Sequence, residues 1–268
     1  MKEKFFGVFG NPIAHSKSPL LHNKAFGDFE KELGFRGHYQ AILLEEGSSL
    51  KATFLALNLS GANITAPFKE DAYHLSDVQE GQAQAIQALN TWVYEKGRIV
   101  GRTTDIEGFY APLKERNFKP QKVLVLGAGG SARAVVAGLC AQGVEVHVFN
   151  RSPQRLETFY AQGLTCFHPP HFPLESYDLL VNTTSAGMDG ATYPLDLDML
   201  KSLLAKTRMA YDLIYSVQTP FLRLAKDIGA EVLDGRAMLI AQAALSFGYF
   251  CAQKIPYAEI LKSMQEVF

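Results

Sequence analysis

The stretch from Gln121 to Arg155 constrains this chain more than any other. Val123-Leu124-Val125-Leu126 is an apolar run of strand length, and Gly127, Gly129 and Ala132 follow it in G-x-G-x-x-A spacing. Ser131 to Cys140 then has helical apolar spacing, and Val144 to Phe149 reads as a second strand. That order predicts a βαβ unit on a parallel sheet. Each small residue has a physical job. The first glycine makes the tight turn, the second lets backbone approach a pyrophosphate, and the alanine lets helix and sheet pack closely. Phosphates would rest on unpaired N–H groups at the positive end of the helix. The alternative is an α/β turn that binds nothing.

The end of the second strand bears on which dinucleotide fits. An NAD site places Asp or Glu there to bond the ribose 2′-OH, whereas a 2′-phosphate needs a basic partner. Here the chain reads Asn150-Arg151-Ser152 and then Arg155, with no acid at the strand end. Guanidinium groups offer rigid multidentate donors suited to phosphate. The expectation is NADP; the bland reading has Arg151 and Arg155 solvating a helix start.

Elsewhere the sequence excludes more than it assigns. At 268 residues the chain has material for one large or two medium domains. Its 26 basic and 27 acidic residues nearly balance, which argues against nucleic acid as a partner. Cys140, Cys166 and Cys251 show no paired or metal-ligand spacing, and the His168-Pro169-Pro170-His171-Phe172-Pro173 loop lacks a convincing third ligand, so no metal is expected. No apolar run has membrane length and no signal peptide opens the chain, so the expected location is cytoplasmic, with no membrane association.

Before the glycine turn, Phe5 to Phe9, His38 to Leu44 and Ala62 to Thr65 read as strands. Leu20 to Leu33 reads as one helix, capped by Ser18 with Pro19 at its first position. His15 and His22 suit local or core hydrogen bonding better than metal binding. Asn63 and Thr65 share one side of an extended segment, and Lys69 lies just past its C-terminal end, where open α/β sheets form ligand crevices. Asn90 to Tyr94 and Arg98 to Val100 read as a hairpin, and Thr104 or Asp105 as the cap of a following helix. After Arg155 the strands fall at Leu164 to Phe167, Tyr177 to Val181, Met209 to Ile214 and Glu231 to Leu233. Two helices, Met238 to Phe250 and Pro256 to Val267, close the chain and are expected to return to the first domain.

Gly7 to Pro19, Asn63-Ile64-Thr65-Ala66-Pro67-Phe68-Lys69, Asn90-Thr91 and Thr104-Asp105 together resemble the shikimate dehydrogenase family. The resemblance continues through Gly127 to Gly130, Asn150-Arg151-Ser152, Asn182 to Met188, Tyr211 to Tyr215 and Gly235 to Gln242, nearly the whole chain. It implies a two-domain α/β fold: an α/β substrate domain over 1–104, a Rossmann-like NADP domain over 105–235, and C-terminal helices over 236–268 that complete the substrate domain. It implies reversible NADP-dependent reduction of 3-dehydroshikimate to shikimate in aromatic amino-acid biosynthesis, and leaves room for a homodimer. Residue by residue it places Ser16, Ser18, Asn63, Thr65, Asn90, Tyr215 and Gln242 around the substrate, with Lys69 and Asp105 as the catalytic pair. Gly127, Gly129, Gly130, Asn150, Arg151 and Arg155 match nucleotide-binding positions, with Thr184 and Met238 near the cofactor.

Three positions depart from the family pattern: Thr103 stands where asparagine is usual, Ser152 where threonine is commoner, and Ala237 where glycine is frequent. They imply tuning, with Ala237 able to crowd the nicotinamide or narrow the backbone geometry. Lys69 suits proton transfer to, or stabilisation of, an oxygen that gains charge during ketone reduction. Competing readings are a quinate/shikimate dehydrogenase of broader specificity and a non-catalytic metabolite or NADP sensor.

Overall fold

The computed structural model describes residues 1–172 and 175–268. It has two compact α/β units: 1–108 with 240–268, and 109–239.

In the first unit β1 (Lys2–Gly10), α1 (Ser18–Asp28), α2 (Glu30–Leu33), β2 (Phe35–Leu43), α3 (Leu50–Ala56) and β3 (Leu59–Ile64) come in order. They are followed by α4 (Lys69–Leu75), β4 (Val78–Gln79), α5 (Ala83–Ile86), β5 (Thr91–Glu95), β6 (Arg98–Arg102) and α6 (Asp105–Glu115), which runs on into the second unit. The sheet order is β2-β1-β3-β5-β6-β4, with β1 parallel to β2 and β3, and β5 antiparallel to β3 and β6. Side chains alternate across a strand, so β1 feeds two cores. Phe9 joins Phe54, Ile64, Phe68 and Trp92 in one of them. Phe6 lies 4.7 Å from Phe26 and 5.1 Å from Phe250, ring centre to ring centre, in an aromatic layer with the C-terminal helix.

Local expectations needed correcting here. The single helix over Leu20 to Leu33 is broken at Phe29 into α1 and α2. Ser18 is not the cap of α1: Lys17 holds that position without a side-chain bond, and the Ser18 N–H donates to Ser16 Oγ at 3.3 Å. His22 is core, as the sequence suggested, and is fully buried. It stacks on Tyr39 at 4.2 Å, and burial pushes its pKa down to about 3, so the ring is neutral.

In the second unit β7 (Lys122–Leu126), α7 (Gly130–Ala141), β8 (Glu145–Phe149), α8 (Glu157–Ala161), β9 (Thr165–Phe167) and β10 (Tyr177–Asn182) alternate. Then come α9 (Leu197–Leu204), β11 (Thr207–Asp212), α10 (Pro220–Ile228) and β12 (Glu231–Leu233). The sheet is parallel throughout, in the order β12-β11-β10-β7-β8-β9. Both faces are covered, which is why β7 reads as an unbroken apolar run. Val123 and Val125 pack toward α7, and Leu124 and Leu126 join Leu200, Leu203 and Phe221 on the other side. The helix that carries Leu200 and Leu203, α9, has no counterpart among the expected elements; Asp196 caps it by accepting from the Asp198 and Met199 N–H groups. The chain closes with α11 (Arg236–Phe250) and α12 (Tyr257–Gln265). The unit boundaries fall within α6 and α11, a few residues past the expected 104 and 235. No helix among the described residues is long and apolar enough to cross a membrane.

Candidate active site

In the first unit the C-terminal ends of β1 and β3 lie side by side, with Phe9 opposite Ile64. Because β5 runs antiparallel to β3, its N-terminal end reaches the same edge, with Thr91 opposite Asn63. Topology therefore delivers the Asn11 to Lys17 loop, Thr65, Lys69, Asn90 and the Thr104-Asp105 step to one end of one sheet.

At that edge Lys69 Nζ donates to Asp105 Oδ2 at 2.6 Å, and both residues are buried. The other carboxylate oxygen, Oδ1, accepts from Asn90 Nδ2 at 3.0 Å. Asn90 cannot be turned round, because its Oδ1 accepts the Thr104 backbone N–H at 2.9 Å. Its Nδ2 also lies 2.9 Å from Thr104 Oγ1 and 3.1 Å from Gln242 Oε1. Asn63 is held as tightly. Its Oδ1 accepts from the Tyr39 hydroxyl at 2.7 Å, and its Nδ2 lies within 3.2 Å of the Asn90 carbonyl, Thr91 Oγ1 and Ser246 Oγ. A buried ion pair gains little net stability over an apolar pair of the same shape, so this one is better explained by chemistry than by folding.

Of the residues expected around a substrate, Ser16, Ser18, Asn63, Thr65, Asn90 and Gln242 belong to this unit with Lys69 and Asp105, and Tyr215 belongs to the other. Ser16 and Ser18 follow β1, and Thr65 follows β3, its N–H donating to the Phe9 carbonyl at 2.9 Å. Sequence reasoning missed Tyr39, Thr91 and Ser246. Ser246 carried a signal, since it lies one helical turn from Gln242 on the same face.

In the second unit the β7 turn meets the requirements of a phosphate site. Gly127 has φ +114°, and a Cβ there would fall 2.4 Å from Thr183 Oγ1, so only glycine fits. A Cβ at Gly129 would meet nothing within 4 Å, leaving open space over the first turn of α7, whose cap residue, Gly129, has no side chain to close it. Strand order reverses between β7 and β10, the place where doubly wound sheets take dinucleotides. Gly130 opens α7 there, and Thr184 stands beyond β10 with its hydroxyl donating to Asn182 Oδ1 at 2.7 Å. Arg151 and Arg155 are exposed just past β8, and Asn150 closes the turn by donating to the Ser152 carbonyl at 2.9 Å. Met238 is buried in the core cluster of this unit. Ala237, the second residue of α11, is not among the positive-φ residues, so its Cβ imposes no backbone strain. The residues present thus fit a dinucleotide carrying an extra phosphate.

The loop between β12 and α11 passes so close to the residue after β11 that a Cβ on Gly235 would fall 2.1 Å from the Leu213 carbonyl oxygen. A second group of acids and histidine, Glu145, His147 and Glu175, already contains a cation: the Lys122 ammonium bonds both glutamates. His168 and His171 of the Pro-Pro loop have ring centres 6.3 Å apart; Pro173 lies outside the described residues.

Asp212 ties this edge together. Fully buried, it accepts from Asn182 Nδ2 at 3.1 Å, the Ile214 N–H at 3.1 Å and Thr219 Oγ1 at 2.7 Å. Burial pushes its pKa up to about 6 in spite of these bonds. Between about pH 4 and 6 the folded chain therefore holds a proton that the unfolded chain has lost. Stability should fall as pH rises through that window, by about 3 kcal/mol in all. Urea melts from about pH 4 to 7 should show this slope in the parent and a flatter one in Asp212→Asn. Parallel curves would remove Asp212 as its source.

A parallel dinucleotide-binding unit, joined to a unit bearing a buried lysine–carboxylate pair among amides and hydroxyls, defines a nicotinamide-dependent dehydrogenase. Comparison with known proteins is more specific. Residues 8–92 match the model of the shikimate dehydrogenase substrate binding domain, and residues 111–188 match that of shikimate / quinate 5-dehydrogenase. The NADP(+) shikimate dehydrogenase of Helicobacter pylori strain P12 is 49% identical over 268 residues, covering 100% of both chains. That of Oleidesulfovibrio alaskensis is 37% identical over 96% of this chain and 92% of its own. The shikimate 5-dehydrogenase of Thermus thermophilus, solved with NADP(H) and shikimate, superposes with a TM-score of 0.80 at 34% identity, covering 99% of this chain and 100% of that one. The chain belongs to the shikimate dehydrogenase family.

Proposed function

We propose that Lys69 and Asp105 are the catalytic pair of an enzyme that reduces 3-dehydroshikimate reversibly to shikimate with NADP. The observation that carries this assignment is the buried 2.6 Å ion pair, its second carboxylate oxygen fixed by Asn90, on a chain 49% identical end to end to an NADP(+) shikimate dehydrogenase.

When bound, NADPH supplies the hydride. The chain's own residues manage the proton. Lys69 Nζ, aimed by Asp105, donates to the ketone oxygen as charge builds there; in the reverse direction it takes the proton from the alcohol. Asp105 also accepts a hydrogen bond from a ring hydroxyl. Ser16, Ser18, Thr65 and Tyr215 offer hydroxyls that both donate and accept, toward the carboxylate and hydroxyls of the ring. Asn63 has its amide protons engaged within the fold, so its contribution to substrate is a lone pair on Oδ1. Asn90 and Gln242 bound the pocket beside Asp105. Gly127, Gly129 and Gly130 receive the pyrophosphate, Arg151 and Arg155 the 2′-phosphate, and Thr184 and Met238 flank the nicotinamide end.

A cofactor-absorbance assay of shikimate and quinate, each with NADP and NAD, tests the reading. Shikimate with NADP should give the highest kcat/KM of the four. Comparable turnover of quinate would move the assignment to the broader enzyme, and cofactor binding without turnover of either acid would favour a sensor.

A further inference from the structure

Beyond the residues assigned so far, we propose that Gly10 is a positioning residue: the room it leaves for the Thr65 methyl sets the rotamer of Thr65, and with it the place where the Thr65 hydroxyl meets the substrate. The inference rests on the reading of Thr65 as a substrate-binding residue.

Gly10 ends β1 and Thr65 directly follows β3, so the two stand side by side at the sheet edge that leads to Lys69. Gly10 is not among the positive-φ glycines, so its backbone would accept an alanine. The space around it would not. A Cβ on Gly10 would fall 2.5 Å from Thr65 Cγ2, 2.8 Å from Ile13 Cδ1 and 3.3 Å from the Ala66 carbonyl oxygen. Packed carbon atoms rest about 3.5–4.0 Å apart, so the first contact calls for a movement of roughly 1 Å. Ile13 Cδ1 is the tip of a flexible side chain and can turn aside. The two chain segments cannot simply part, because backbone bonds join them on both sides of Gly10. The Thr65 N–H donates to the Phe9 carbonyl at 2.9 Å, and the Asn11 N–H donates to the Ala66 carbonyl at 3.1 Å. The freedom that remains is rotation of the Thr65 side chain. Its methyl and hydroxyl share one carbon, so any turn that frees the methyl carries the hydroxyl out of its place. In the parent chain the niche over Gly10 holds the methyl, and the hydroxyl stays in one staggered position. Among the described residues no hydrogen bond holds that hydroxyl, so packing alone aims it.

Gly10→Ala should raise KM for shikimate roughly 3- to 10-fold, the cost of about one hydrogen bond, with kcat and KM for NADP each within about twofold of the parent. A role confined to stability would not produce that split. Thr65→Val keeps the branched shape and lacks the hydroxyl, so it should raise the shikimate KM to a similar degree. The decisive measurement is a double-mutant cycle of Gly10→Ala with Thr65→Ser, which keeps the hydroxyl and removes the methyl that collides. Alone, Thr65→Ser frees the hydroxyl to sample three staggered positions, which raises KM by about threefold at most. Adding Gly10→Ala should then cost nothing further, because a hydrogen stands where the methyl was. If Gly10→Ala alone is too unstable to assay, Thr65→Ser should restore a folded enzyme whose shikimate KM equals that of Thr65→Ser. An unchanged shikimate KM in Gly10→Ala, an equal rise in both backgrounds, or no recovery of an unstable Gly10→Ala would overturn the inference. Two other results would strike the reading beneath it: a parent KM in Thr65→Val would remove Thr65 from the substrate's contacts, and a parent enzyme that fails to oxidise shikimate with NADP would overturn the assigned activity. The failures are therefore distinguishable.

Discussion

Replacing Lys69 with methionine is expected to lower kcat for shikimate oxidation about 10³-fold, with KM for NADP unchanged. The size follows from the role: a positioned proton donor or acceptor contributes roughly 10²- to 10⁴-fold. Methionine is preferred to alanine because it fills the space of the buried stem, although Asp105 is still left without its cation. Removing one member of a buried pair destabilises a fold by about 3–5 kcal/mol, so thermal melts must accompany the kinetics. Asp105→Asn should also lower kcat, since the neutral amide can no longer aim an ammonium from 2.6 Å. If it changed only KM, Asp105 would be a binding group. Lys69→Arg separates the two roles left open for the lysine. A guanidinium keeps the charge but does not release a proton at neutral pH. Recovery of turnover in Lys69→Arg would assign Lys69 to charge stabilisation alone. Near-parent turnover in Lys69→Met, in a folded protein, would reject the catalytic assignment outright.

The glycine turn and the Lys69–Asp105 network, one in each unit, were not equally legible in the sequence. The β7–α7–β8 unit can be read directly because its determinants are local: a strand buried on both faces, a glycine with φ +114°, and an alanine packed under the helix start. The network around Asp105 is a different kind of object. Asn63, Asn90, Thr104 and Gln242 could be named from motifs, but their meeting depends on β5 running antiparallel to β3 and on α11 returning from the far end of the chain. No local periodicity encodes that, and Tyr39 and Ser246 were hard to see for the same reason. Tertiary pairing also explains the strand that came out too short. Lys2, Glu3 and Lys4 look like a solvated terminus, yet β1 starts at Lys2 because β2 supplies a full parallel ladder from Phe35. The Ser18 cap failed on finer grounds: the helix starts one residue earlier than expected, so Ser18 is its first residue and Lys17 holds the cap position.

Removing the guanidinium of Arg151 should raise KM for NADP by roughly 10- to 100-fold while leaving kcat within about twofold and KM for NAD unchanged. Arg151 and Arg155 are the only basic side chains between the end of β8 and β9, and both are exposed. A 2′-phosphate carries nearly two negative charges, and a charge-assisted bidentate contact to it is about twice as strong as a neutral hydrogen bond. The turn beside Arg151 is already ordered. Asn150 is pinned at both ends, its N–H donating to the Phe167 carbonyl at 3.1 Å and its side chain to the Ser152 carbonyl at 2.9 Å. Little ordering is left to be done when phosphate arrives, which is why a single side chain can have so large an effect. Exposure also makes the interaction sensitive to salt. Going from about 50 to 200 mM NaCl should weaken NADP in the parent more than in Arg151→Ala, and should leave NAD almost untouched. Arg155→Ala should produce a smaller shift of the same kind, and the double substitution should bring the two cofactors close to parity. Equal loss of NADP and NAD in Arg151→Ala would mean that this arginine holds the turn and does not read the phosphate; a parent that already used NAD as well as NADP would leave it nothing to discriminate.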